Sequence, residues 1–283
     1  MKRIDSHQHF WQIKRGDYDW LTKELGALYR DYLPIDLKHH LTQANVSQTI
    51  VVQAAETLAE TEFMFSHANR FQFIGGVVGW VDMEAGNVIK QLSWFLENPY
   101  FKGIRPMIQN IDDVDWMLKP ELTPVFKFLE QHNLSFDALV TPKHLANLQI
   151  LVSRHPRLRL VIDHGGKPNI AGALGQDIAE SENKQWAEDI EQLSRYKNVF
   201  CKLSGFLTEA GQGAEYNDIA PYMSHLFDCF GAKKLMWGSD WPVVNLTSDF
   251  STWFDIASKF IKQKEHSEQQ RIWSGTAKQF YRL

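Results

Sequence analysis

Cysteine is scarce in this chain: two residues, Cys201 and Cys229, among 283. A domain of that length buries about three quarters of its unfolded surface, so a bridge would add little. The pair is therefore expected as reduced thiols of a cytoplasmic protein. An excess of positive charge is missing too. Lys and Arg number 30 against 34 Asp and Glu, a formal charge of −4, which argues against a protein held by clustered phosphate contacts and removes nucleic acid as a main partner. No apolar run approaches the roughly 18 residues that would span a bilayer. The opening MKRIDSHQHFW turns polar before a signal-peptide core could form, so no membrane partner is expected. Internal repeats, low-complexity tracts and Gly/Ser linkers are also lacking, and residues 1–283 are expected to form a single domain.

What the chain does have is a regular series of short apolar, β-branched or aromatic runs. They cover Arg3 to Phe10, Gln48 to Ala54, Phe73 to Val81, Phe101 to Ile108, Leu134 to Val140, Leu158 to His164, Asn198 to Ser204 and Lys234 to Asp240. Each has the length of a buried strand and precedes a longer segment with helical spacing. Asn87 to Asn98 sets Val88, Leu92, Phe95 and Leu96 on one face before Pro99 stops it. Thr123 to His132 begins with Pro124 in its first turn and carries Val125, Phe128 and Leu129. Eight such units predict an α/β fold, a single (β/α)8 TIM barrel, with a doubly wound open sheet as the alternative. Two connections exceed what a helix needs, residues 11 to 47 and 165 to 197. The first is expected to act as a lid after strand 1, and the second is an extended connection after strand 6.

Histidine and tryptophan are well represented, with 11 and 10 residues. Alternation along the first strand sends His7 and His9 to one side, and at the C-terminal end of a barrel strand that side is the mouth. The sixth run ends on His164 and turns through Gly165 and Gly166, while the eighth ends on Asp240 between Ser239 and Trp241. Taken singly, His164 reads equally well as a loop histidine and Asp240 as a helix cap. Together, His7, His9, His164 and Asp240 form a plausible shell for one zinc or manganese ion. Arg105 and Lys202 end the fourth and seventh runs. Such cations either pair with Asp137, Glu56 or Asp163 or hold substrate oxygens. Trp11, Tyr18 and Trp20 either cover a sugar-like ligand or pack the lid.

The segments IDSHQHFW (4–11), GIRP with Gln109 (103–109), DHGGKP (163–168), CKLSGFLTEA (201–210) and MWGSDWPV (236–243) resemble the amidohydrolase superfamily, in particular its sugar-lactonase branch. The resemblance implies a (β/α)8 barrel with hydrolysis at its mouth. It makes His7, His9, His164 and Asp240 the metal shell. Better-known members carry a carbamylated Lys or a Glu on strand 4 and a His on strand 5, where this chain offers Arg105 and Asp137. At most one divalent ion is therefore expected, and a metal-free route through the imidazoles is left open.

The reaction expected is opening of a sugar lactone to the aldonic acid, with Asp240, His164, Arg105 and Lys202 in catalysis and a small-molecule lactone and water as partners. Trp11, Gln109, Lys167 and Trp241 are expected to contact the substrate. A homodimer is compatible with such a barrel. Alternatives on the same scaffold are an amide hydrolase, a decarboxylase or a dicarboxylate lactonase, the last requiring more arginines than Arg105. A non-catalytic carbohydrate-binding barrel gives no reason for an acid beside three imidazoles.

Overall fold

The computed structural model describes residues 2–283. Eight parallel strands follow one another around the sheet in chain order. They are β1 (Arg3–Gln8), β2 (Val46–Val52), β3 (Ile74–Gly79), β4 (Phe101–Ile104), β5 (Ser135–Ala138), β6 (Arg159–Ile162), β7 (Val199–Leu203) and β8 (Leu235–Trp237). The eight runs legible in the sequence are these strands, several of them shorter at the C-terminal end. Backbone geometry explains the shortening. His164 and Asp240 have φ of 54° and 56°, in the left-handed region, and a residue there cannot extend a ladder.

The sheet approaches closure where β8 returns to β1. Gln8 bridges Trp241 in parallel, the Asp240 amide donates to the His7 carbonyl (2.8 Å) and the His9 amide to the Trp241 carbonyl (2.7 Å). Asp5 strengthens this seam from inside, its Oδ1 accepting from the amides of Ser239 (2.8 Å) and His7 (3.1 Å). Gly238 allows the approach, since a Cβ there would lie 2.7 Å from His7 Cβ.

Helices α1 (Pro34–Gln43), α2 (Leu58–Ala68), α3 (Val88–Leu96), α4 (Thr123–His132), α5 (Leu145–Arg154) and α6 (Lys184–Ser194) follow the first six strands. A short α7 (Phe206–Ala210) and α8 (Tyr216–Phe230) follow β7, and α9 (Phe250–Ile261) follows β8. The reading of α3 and α4 from apolar spacing agrees with the structure. Val88, Leu92 and Phe95 are buried on one face of α3, and α4 stops where Asn133 turns left-handed at φ 54°. After a short α10 (His266–Gln270), the C-terminal α11 (Thr276–Tyr281) packs Ala277, Phe280 and Tyr281 against Ile4, Ile50, Val78, Val161 and Met236. Among the described residues no helix is long and apolar enough to cross a membrane.

The first long connection is tied to the barrel by buried polar bonds. The Trp11 and Tyr32 backbones bridge each other (2.9 and 3.0 Å), Trp20 Nε1 donates to the Ala54 carbonyl (2.7 Å), and the Tyr18 hydroxyl donates to Glu60 Oε2 (2.7 Å). The second long connection is held by Asn183, whose side chain accepts from the Asn169 amide (2.8 Å) and donates to its carbonyl (2.9 Å).

Candidate active site

At the C-terminal end of β1, His7 Nε2 and His9 Nε2 stand 3.1 Å apart. His9 Nδ1 donates to the Val52 carbonyl (2.8 Å), leaving the Nε2 lone pair directed inward. Asp240 reaches the same point from the end of β8. Its Oδ1 is 3.4 Å from His9 Nε2, 3.7 Å from His7 Nε2 and 4.0 Å from His164 Nε2. The His164 ring is held by Nδ1 against Ser204 Oγ (2.9 Å). Gly205 makes room for it: a Cβ there would fall 2.6 Å from His164 Nδ1, and the residue sits at φ 72°.

Burial sets the charge state of this cluster. It drives the His7, His9 and His164 imidazoles below the ordinary histidine range, and neighbouring cations add to that effect at each of them. They are neutral, as ligands to a cation must be. Burial also pushes the Asp240 carboxyl upward, but the polar imidazoles of His164 and His9 and the Lys167 ammonium more than offset it, so Asp240 stays ionised, below the usual carboxylate range.

Behind the imidazoles lies a second charged layer. The wholly buried Lys202 Nζ contacts Asp137 Oδ2 (2.6 Å), Asp163 Oδ1 (2.9 Å) and His7 Nδ1 (3.0 Å). Asp137 also accepts from the Ser135 hydroxyl (2.7 Å) and the Tyr281 hydroxyl (2.6 Å). Burial would raise Asp163, yet Lys202, His7 and His164 hold it well below the usual range, whereas Asp137 is raised by burial and by Asp163 beside it, against Lys202. Of the two roles open to Lys202, the structure shows the pairing with Asp137 and Asp163. It does not line the mouth.

The mouth is a cavity of about 210 Å³ lined by His9, Arg105, His164 and Asp240 at its floor and by Trp20, Gln109, Lys167 and Glu209 among its walls. That is smaller than the usual site for a drug-sized ligand and suits a single small ring. Arg105 donates to the Gln53 carbonyl and lies 3.8 Å from Asp163. Lys167 Nζ meets Glu209 Oε1 at 3.1 Å. Two of the tryptophans expected at the substrate are elsewhere. Trp11 and Trp241 are buried and pack edge-on around Tyr32 (ring centroids 5.2 Å for each), because both are the anchors of their connections rather than their tips. Trp20 takes the wall position, braced edge-on by Trp11 at 5.3 Å. Glu209 received no role from the sequence, although it stands in the LTEA run after β7.

The donor set suits a metal ion. Tetrahedral zinc with bonds near 2.05 Å sets its ligands about 3.3 Å apart. The His7–His9, His9–Asp240 and His7–Asp240 separations of 3.1, 3.4 and 3.7 Å scatter around that value, and the three residues form a buried cluster of potential ligands. His164 Nε2 reaches the same Asp240 oxygen at 4.0 Å, and with His7 and Asp163 it forms a second buried group of potential ligands. Arg105 and Asp137 stand at the strand-4 and strand-5 positions.

Comparison with known proteins bears on this arrangement. A family model described as amidohydrolase matches residues 4–283. The chain belongs to this amidohydrolase family. Among curated relatives of this amidohydrolase, an L-fucono-1,5-lactonase of Burkholderia ambifaria is 39% identical, covering 99% of this chain and 96% of the relative. A second L-fucono-1,5-lactonase, of Burkholderia multivorans, is 32% identical with the same 99% and 96% coverage. A Burkholderia multivorans amidohydrolase solved with bound HEPES superposes with a TM-score of 0.93 at 31% identity, and one solved with bound zinc with 0.92 at 30%, both over all of each chain.

Proposed function

We propose that this amidohydrolase opens a sugar lactone of the L-fucono-1,5-lactone type to the aldonic acid, by attack of water on the ring ester. The observation that carries the reading is an ionised Asp240 within 4.0 Å of three neutral imidazoles on the floor of a small mouth. Full-length similarity to two L-fucono-1,5-lactonases supports it.

Asp240 accepts a proton from water as the water oxygen adds to the ester carbonyl, and returns it to the ring oxygen when the carbon–oxygen bond breaks. The tetrahedral oxyanion forms beside Arg105, whose guanidinium is fixed by the Gln53 carbonyl. His7, His9, His164 and Asp240 would hold a divalent ion, which when bound supplies Lewis-acid polarisation of the carbonyl. Lys202 and Asp163 orient the His7 ring through Nδ1. Trp20 offers a flat face to the sugar ring, and Gln109 and Lys167 offer donors to its hydroxyls.

The test is acid release in weakly buffered dye from L-fucono-, L-rhamnono-, L-galactono- and arabino-lactones, beside a dicarboxylate lactone and simple amides. Release is expected from at least one sugar lactone. Turnover of only the dicarboxylate lactone or an amide would overturn the assignment.

A further inference from the structure

We propose that the Lys167–Glu209 ion pair is a charge filter that restricts this mouth to uncharged lactones. The inference rests on the lactonase reading and goes beyond it by assigning specificity to a residue pair outside the reacting centre. Lys167 follows the β6 turn in a left-handed conformation (φ 54°), and Glu209 lies on α7 after β7, so their 3.1 Å contact joins the adjacent connections after β6 and β7 at the wall of the mouth.

Beyond the four residues that would hold the ion, the charged side chains lining the cavity are Arg105, Lys167 and Glu209. Arg105 is committed to the Gln53 carbonyl and to Asp163. Lys167 is thus the cation nearest the solvent side, and Glu209 satisfies it before any ligand arrives. A lactone carrying a carboxylate would have to displace Glu209 and leave that carboxylate facing its own. Hydroxyl groups meet no such conflict, because they can donate to Glu209 and accept from Lys167 together.

The approach to the mouth reinforces the filter. A neighbouring groove shares Trp20, Ala54, Met107 and Asn110 with the cavity and adds Asp17, Asp19 and Glu56. Asp17 is matched by Arg15 (2.5 Å), while Asp19 and Glu56 contribute negative charge. Anionic lactones are repelled there, and the aldonate product, itself an anion, is favoured to leave.

The experiment compares kcat/KM for L-galactono-lactone, which is neutral, with that for galactaro-lactone, which carries a carboxylate. In Glu209→Gln, the freed ammonium is expected to raise kcat/KM for the carboxylate-bearing lactone about tenfold, and the gain is expected to shrink in 0.5 M NaCl. Lys167→Met is expected to move the preference the other way. Adding Lys167→Met to Glu209→Gln should erase the gain. A preference within twofold of wild type in Glu209→Gln, or a gain that survives loss of Lys167, overturns the filter. Calorimetric binding of galacturonate and galactose to the same proteins keeps the two readings separate. If no lactone is turned over, the lactonase reading falls, and the filter is still decided by whether Glu209→Gln tightens galacturonate alone.

Discussion

Asp240 is asked to do two things that ordinarily conflict: to remain ionised while wholly enclosed, and to accept a proton. The imidazoles resolve this by stabilising the carboxylate more than burial destabilises it. Asp240→Asn keeps the shape and removes the proton acceptor, so kcat should fall about 10²- to 10⁴-fold with an unchanged circular dichroism spectrum. Because burial holds the His7 and His164 imidazoles well below, and His9 below, the ordinary histidine range and Asp240 lies below the usual carboxylate range, kcat/KM should be flat from pH 8 down through pH 6.5. A loss of rate centred near pH 6.5 would contradict that assignment. Lys202 matters differently. Lys202→Met leaves Asp137 and Asp163 facing each other without a cation, at a cost of roughly 3–5 kcal/mol, and adding Asp137→Asn should restore part of it in urea unfolding.

The connection after β1 shows how a long loop is kept in place. Tyr18, Arg15 and the Ala54 amide all converge on the buried Glu60 of α2. Burial raises this carboxyl to about 7, although Tyr18, the Ala54 amide and Arg15 pull it down. Native protein therefore holds a proton that the unfolded chain has released between pH 4.5 and about 7. The stability from this group is complete below pH 4.5 and is lost as pH rises through about 7. Replacing Glu60 with Gln removes the titration, so between pH 5 and 7.5 the variant's melting temperature should rise relative to that of wild type. Parallel curves for the two proteins would show that Glu60 does not titrate in this window. The latch also explains why Trp20, at the tip of the connection, can serve as a wall: its indole N–H is fixed on the Ala54 carbonyl next to the same anchor.

Viewed across the chain, the barrel was legible because every strand is buried on both faces and so appears as an apolar run of constant length, repeated eight times. The ends of those runs were legible as site positions because a barrel places strand C-termini at one mouth. The modest charge of −4 and an uncharged substrate make one further expectation. For a neutral lactone, kcat/KM should change less than about twofold between low salt and 0.5 M NaCl, since there is no long-range attraction to screen. A steep change with salt would point to a charged substrate.

Sequence alone sufficed for the order of the strands, for His7 and His9 sharing a side and for His164 and Asp240 at strand ends, because alternation and strand length are local properties. Partners of buried charges are not local. Lys202, on β7, pairs with Asp137 and Asp163 because the sheet brings the carboxylates of β5 and of the end of β6 within 3 Å of its ammonium. Folding of the first connection likewise decided that Trp11 is an anchor and Trp20 a wall, a distinction of depth that two tryptophans in one connection do not carry in sequence. Glu209 stood in the LTEA run without a role until α7 set it 3.1 Å from Lys167. Its role depends on which neighbour the loops supply, and only the tertiary structure determines that.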